Sequence, residues 1–90
     1  MLEVKYTKQF RKDSKKAKKQ RKDLPKLKAV IRLLQEQKEL PSSLVDHSLT
    51  GQPYLNCRDC HIEPDWVLIY KVVNGDLVLV RIGSHSELFK

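Results

Sequence analysis

Two apolar runs, Trp66-Val67-Leu68-Ile69-Tyr70-Lys71-Val72-Val73 and Leu77-Val78-Leu79-Val80-Arg81-Ile82, stand on either side of Asn74-Gly75. Each run has strand length and is rich in β-branched residues, the pattern of a strand buried in a sheet. Asn-Gly readily takes the two positive φ angles of a tight hairpin turn. Whatever else the chain does, these residues must fold back on each other as an antiparallel pair, and the remaining elements must cover them.

Cys57 to Ile62 predicts a third strand, joined to the first run through Glu63-Pro64-Asp65. Leu2 to Tyr6 alternates weakly and predicts a short strand. Thr7 is suited to N-cap a helix over 8–22. Asp23 can cap a second helix, with Pro25 in its first turn, where the missing N–H costs nothing. Leu27, Val30, Ile31 and Leu34 fall at i, i+3, i+4 and i+7, an amphipathic stripe. Leu40-Pro41-Ser42-Ser43 ends that helix, and residues 44–56, with Gly51 and Pro53, read as loop. Helices first and strands afterwards define an α+β fold, here two N-terminal antiparallel helices on a small twisted antiparallel sheet. Ninety residues support a single domain over 1–90 with a modest core.

Charge is segregated along the chain. Residues 1–38 hold 14 Lys and Arg against 4 Asp and Glu, whereas residues 39–90 hold 4 against 7. A run such as Arg11-Lys12-Asp13-Ser14-Lys15-Lys16-Ala17-Lys18-Lys19-Gln20-Arg21-Lys22 repels itself with little internal compensation. Its expected partner is a polyanion, either nucleic acid or an acidic protein. No apolar run approaches the roughly 20 residues of a membrane helix. Met1 to Tyr6 does not read as a signal peptide, so the expected compartment is the cytoplasm.

Cys57-Arg58-Asp59-Cys60-His61 matches the C-x-x-C-H pattern of haem attachment. Three features oppose haem: no export signal, Met1 as the sole methionine, and a β-patterned setting. A structural zinc needs four ligands, and no second cluster accompanies this one. In extended chain Cys57 and Cys60 face opposite ways, which disfavours a disulfide. The expectation is two unpaired, partly buried thiols and no metal or cofactor.

His47, His61 and His85 each lie beside an acid or a hydroxyl, in Asp46-His47, Asp59-x-His61 and Ser84-His85-Ser86. Extended geometry puts Asp59, His61 and Glu63 on one face of one strand, and Arg81, Gly83 and His85 on one face of another. Asp65 begins the strand between, so acids, histidines and an arginine can converge on one rim. Cleavage of RNA through its 2′-OH needs a base, an acid and a cation. Histidine suits the first two roles, and the arginine fork suits a phosphate.

Asp46-His47-Ser48-Leu49-Thr50-Gly51, Arg58 to Tyr70 and Arg81 to Phe89 together strongly resemble the YafQ-like toxins of type II toxin–antitoxin systems, in the RelE superfamily. The match in order and spacing extends over essentially the whole chain. The resemblance implies a RelE-like fold and an endoribonuclease that cuts mRNA on the ribosome. It also implies silencing by a cognate acidic antitoxin, with operator DNA bound indirectly through that complex. The family's active-site set falls on His47, Asp59, His61, Asp65, His85 and Phe89, with Arg81 at the phosphate. On that reading His85 is the general acid and Asp65 or His61 the base, while His47 and Asp59 orient neighbours. Phe89 stacks on a base, and Lys15, Lys16, Lys18, Lys19 and Lys22 grip ribosomal RNA. Alternatives from other classes are a non-catalytic toxin that blocks gyrase or the ribosome by binding, and a plain RNA-binding module.

Overall fold

The computed structural model describes residues 1–49, 51 and 53–89, with the backbone alone of His47. Its elements are β1 (Glu3–Tyr6), α1 (Lys8–Lys19), α2 (Leu24–Gln35), a 3₁₀ turn (Ser42–Leu44), β2 (His47–Ser48), β3 (Arg58–Glu63), β4 (Trp66–Val73), β5 (Asp76–Gly83) and α3 (His85–Leu88). The predicted hairpin is present. Val73 lies opposite Asp76, and Asn74 and Gly75 carry φ of 49° and 83°, the two left-handed residues of a tight turn.

The sheet order is β1-β5-β4-β3-β2. The expected antiparallel sheet is therefore mixed, because β1 runs parallel to β5. The region from α1 to β4 lies between those strands in sequence and provides the long crossover that a parallel pair needs. Thr7 joins this edge to α1. Its N–H donates to the Leu79 carbonyl, its hydroxyl donates to the Val80 carbonyl at 2.7 Å, and the same oxygen accepts the Phe10 N–H as the N-cap.

Both helices end earlier than expected, α1 at Lys19 instead of residue 22 and α2 at Gln35, ahead of the stop at Leu40-Pro41. Arg21 and Gln37 each take φ of 57°. Lys22 N–H then reaches the Ala17 carbonyl and Lys38 N–H reaches that of Leu33, closing each helix in a left-handed turn without glycine. Asp23 caps α2 as expected, its carboxylate accepting the Lys26 N–H at 3.1 Å.

The principal core lies between helices and sheet. Phe10 and Ala17 of α1 and Leu27, Val30 and Leu34 of α2 meet Ile62, Trp66, Leu68, Leu77, Leu79 and Ile82. A smaller cluster covers the opposite face, where Tyr54, Cys57 and Leu88 pack on Val67 and Ile69. This explains why Trp66 to Tyr70 is apolar at every position: those residues are buried on both faces.

Asp13 interrupts the apolar stripe of α1 and is buried. Its carboxylate accepts Arg81 Nε and Nη2, both at 3.0 Å, and the Ile82 N–H at 3.2 Å. The helix thereby covers the β5 edge beyond the reach of β1. Removing one partner of a buried pair leaves the other charge stranded, so Asp13→Ala should lower unfolding free energy by on the order of 3 kcal/mol. Denaturant unfolding provides the measurement. A loss under about 0.5 kcal/mol, typical of an ordinary surface change, would show that the pair contributes nothing to stability.

Candidate active site

Pairing across the sheet brings distant parts of the chain into two rows, one to either side of the row of Cys60, Leu68 and Ile82. His47, Asp59, Ile69 and Arg81 form one, and His61, Val67 and Gly83 the other. Residues 44–56, expected as loop, thus include the two-residue strand that carries His47. That strand follows Asp46, whose carboxylate accepts the Tyr70 hydroxyl at 2.9 and 3.0 Å and Arg58 Nε at 3.1 Å. The His47 side chain, assigned to the site from the sequence, lies outside the described residues.

His85 departs from the extended reading. β5 stops at Gly83, and Ser84 caps α3 through a reciprocal box. The Ser84 hydroxyl accepts the Glu87 N–H at 3.3 Å, and Glu87 Oε1 accepts the Ser84 N–H at 2.9 Å. Ser84-x-x-Glu87 is a sequence signature for a helix start, so this helix had a legible signal. His85 therefore sits in the first helical position instead of continuing the face of Arg81 and Gly83.

That turn brings His85 to Asp65. Asp65 Oδ1 accepts the His85 N–H at 2.9 Å and lies 2.8 Å from its Nδ1. These bonds, the backbone one foremost, hold the Asp65 carboxyl below the usual carboxylate range. With Nδ1 occupied, His85 Nε2 faces His61 Nε2 at 3.0 Å. Asp65, His85 and His61 form a continuous hydrogen-bonded chain.

The other predicted members surround this chain. Phe89 is 40% exposed, its ring 6.1 Å from that of His85 and edge-on to Tyr54 at 5.7 Å. Asp59 is not on an exposed rim: it is only 3% accessible, next to Cys60 at the centre of β3. Arg81 has Nε and Nη2 taken by Asp13, and this pairing above all holds its charge more firmly than usual. Sequence reasoning missed Asp13, Tyr54 and Glu87. For Asp13 the clue was an acid placed between Phe10 and Ala17 on an otherwise apolar face.

The five lysines do not share one surface. Lys15 and Lys18 border an apolar groove of about 400 Å³ floored by Phe10, Leu24 and Leu27 and also edged by Arg11 and Lys28. Lys22 lines a polar cleft of about 400 Å³ beside Asp65 and Ser84. Lys16 pairs with Glu87 Oε2. This contact, ahead of the Ser84 N–H, draws the Glu87 carboxyl down to about 2. Lys19 is exposed.

Cys57 and Cys60 are free and buried in the two separate clusters. They lie on opposite faces of the sheet, as their spacing predicts. Burial raises both thiols, Cys60 to about 12. Among the described residues no group of three or more His, Cys, Asp or Glu is placed to hold a metal ion, and no helix is long and apolar enough to cross a membrane. Because the thiolate is the reactive form, neither cysteine should react with Ellman's reagent in the native protein near neutral pH. Both should react after unfolding. Rapid native labelling would contradict the burial.

An α+β domain with two N-terminal helices packed on a small mixed sheet has the fold expected of the RelE-like toxins. The family described as bacterial toxin of type II toxin-antitoxin system, YafQ, matches residues 2–90. The chain is 42% identical to the mRNA interferase toxin YafQ of Escherichia coli K12 over 88 residues, which span 97% of this chain and 95% of that one. It is 36% identical to the putative toxin YafQ of Haemophilus influenzae, covering 96% and 90%. The toxin fold superposes on a chain in the crystal structure of the E. coli DinJ–YafQ complex with a TM-score of 0.90 at 41% identity, over the full length of both. The chain belongs to the YafQ family of type II toxins.

Proposed function

We propose that this toxin is a ribosome-dependent endoribonuclease that cleaves mRNA by attack of the 2′-OH, without a metal. The observation that carries the reading is the 3.0 Å approach of His61 Nε2 to His85 Nε2, with Asp65 on the far side of His85. Two ring nitrogens this close share one proton, so one imidazole is a donor while the other is an acceptor. Asp65 lies on the Nδ1 side of His85 and leaves Nε2 of that ring directed at His61. His85 is then the acid and His61 the base. Asp65, held below the usual carboxylate range, orients His85 and is poorly suited to take a proton itself.

With RNA bound, His61 Nε2 takes the 2′-OH proton and the 2′ oxygen attacks phosphorus. The bond to the 5′ oxygen breaks, and His85 Nε2 protonates that leaving group. The products are a 2′,3′-cyclic phosphate and a 5′-hydroxyl. One proton has moved from His85 to His61 overall. When product leaves, the same short contact returns it, and the pair is ready for another turnover. Arg81 Nη1, the nitrogen not engaged by Asp13, is assigned to the phosphate. The exposed Phe89 ring is assigned to a nucleobase, since aromatic side chains stack on unpaired RNA bases. His47 and Asp59 support neighbouring groups, and the exposed lysines outside the Glu87 contact grip ribosomal RNA. A cognate acidic antitoxin in the cytoplasm silences the protein and contacts operator DNA on its behalf.

His85→Ala and His61→Ala should each slow single-turnover cleavage on programmed ribosomes by roughly 10²–10⁴-fold, the usual share of acid–base catalysis. The double variant should lose less than the product of the two, because the groups act as a unit. Message carrying 2′-deoxyribose at the cleavage position lacks the nucleophile. Continued cleavage there at a normal rate would eliminate the mechanism, and toxicity without any new mRNA ends would favour a blocking toxin.

Asp65→Asn keeps an acceptor for the His85 N–H but removes the charge beside its ring. Its single-turnover rate should fall by about tenfold, roughly 1.4 kcal/mol of barrier. An unchanged rate would deny Asp65 its part in orienting His85.

A further inference from the structure

α3 has four residues, too few to hold a helical turn on their own, so its attachments set the position of His85. Leu88 enters the smaller core cluster, and Glu87 makes two separate bonds. Oε1 accepts the Ser84 N–H at 2.9 Å, immediately before His85, and Oε2 pairs with Lys16 of α1. The fit is close: a Cβ at Gly83 would meet Glu87 Oε1 at 3.2 Å and Leu88 Cδ2 at 3.4 Å. Lys16 differs here from Lys15 and Lys18, which edge the groove between α1 and α2.

We propose that Lys16 and Glu87 are positioning residues for RNA cleavage: their ion pair clamps α3 to α1 and so keeps the His85 imidazole aligned with His61. The inference rests on His85 and His61 being the acid–base pair. Reaction geometry is sensitive to such a clamp, since a misplacement near 1 Å can cost about 10²-fold in rate. Stability is much less sensitive, because a partly exposed ion pair contributes little to it.

The test uses the full chain in two assays: cleavage on programmed ribosomes, and ¹H–¹⁵N correlation spectra of the imidazole nitrogens. Lys16→Ala and Glu87→Gln, the latter retaining an acceptor for Ser84, should each lower kcat by about five- to tenfold. KM should change by less than about twofold. Both variants should shift the His85 ring signals and leave the melting temperature nearly unchanged. Lys16→Arg should restore both rate and spectrum. The double variant Lys16→Ala/Glu87→Gln should be no slower than the worse single one.

A rise in KM with kcat and the His85 signals intact in Lys16→Ala would make Lys16 an RNA contact and overturn the proposal. Losses that multiply in the double variant would also overturn it. If ring signals move in both variants while the rate does not, the clamp stands and the catalytic reading of His85 falls.

Discussion

The buried carboxylate of Asp13 is the joint between the two halves of this fold. It satisfies Arg81 through two nitrogens and takes the Ile82 N–H from the uncovered part of β5. An unpaired backbone donor on a buried edge is costly, and so is a guanidinium without a partner. One side chain resolves both and fixes the height and rotation of α1 against the sheet. The consequences reach the site: β5 turns into α3 two residues after Arg81, and Lys16 lies one helical turn beyond Asp13.

The Asp65–His85–His61 chain joins a turn, a single helical turn and the strand β3. Asp65 sits between β3 and β4, while His85 follows the end of β5, next to the row of Gly83, Val67 and His61. The sheet supplies alignment, and the chain reversals supply exposed side chains with room for a substrate. The buried Asp59 and the pinned Asp46 are better understood as supports of that frame. The Asp46 carboxylate ties the start of β2 to Arg58 of β3 and Tyr70 of β4.

Much of the architecture was legible from the sequence because local chemistry and global fold agree. Asn74-Gly75 turns where it should, Thr7 and Asp23 cap the predicted helices, and the Leu27 to Leu34 stripe faces the core. The departures arise where long-range pairing decides. Nothing in Glu3–Tyr6 specifies parallel pairing with β5, and nothing in His47-Ser48 announces a strand two residues long. The helix ends were misread because Arg21 and Gln37 adopt a conformation usually left to glycine or asparagine. At the candidate site, residue types pointed to the region where Asp65, His85 and His61 come together. The order Asp65–His85–His61 depended on α3, whose capping signature sits within the motif read as strand continuation. The split of the lysines among groove, cleft and ion pair depends on helix rotation, which a charge count does not carry.

The contacts that lock this molecule are also long in sequence. Thr7 to Val80, Lys16 to Glu87 and Asp13 to Arg81 span 73, 71 and 68 positions. Contacts so distant form late, because closing the intervening loop costs entropy before anything is gained. The helices contain all of their basic residues from the outset and can form locally. The contact between His61 and His85 has no existence until β5 docks. A partly folded chain therefore has its basic helices before it has the Asp65–His85–His61 arrangement, which appears only when distant segments meet.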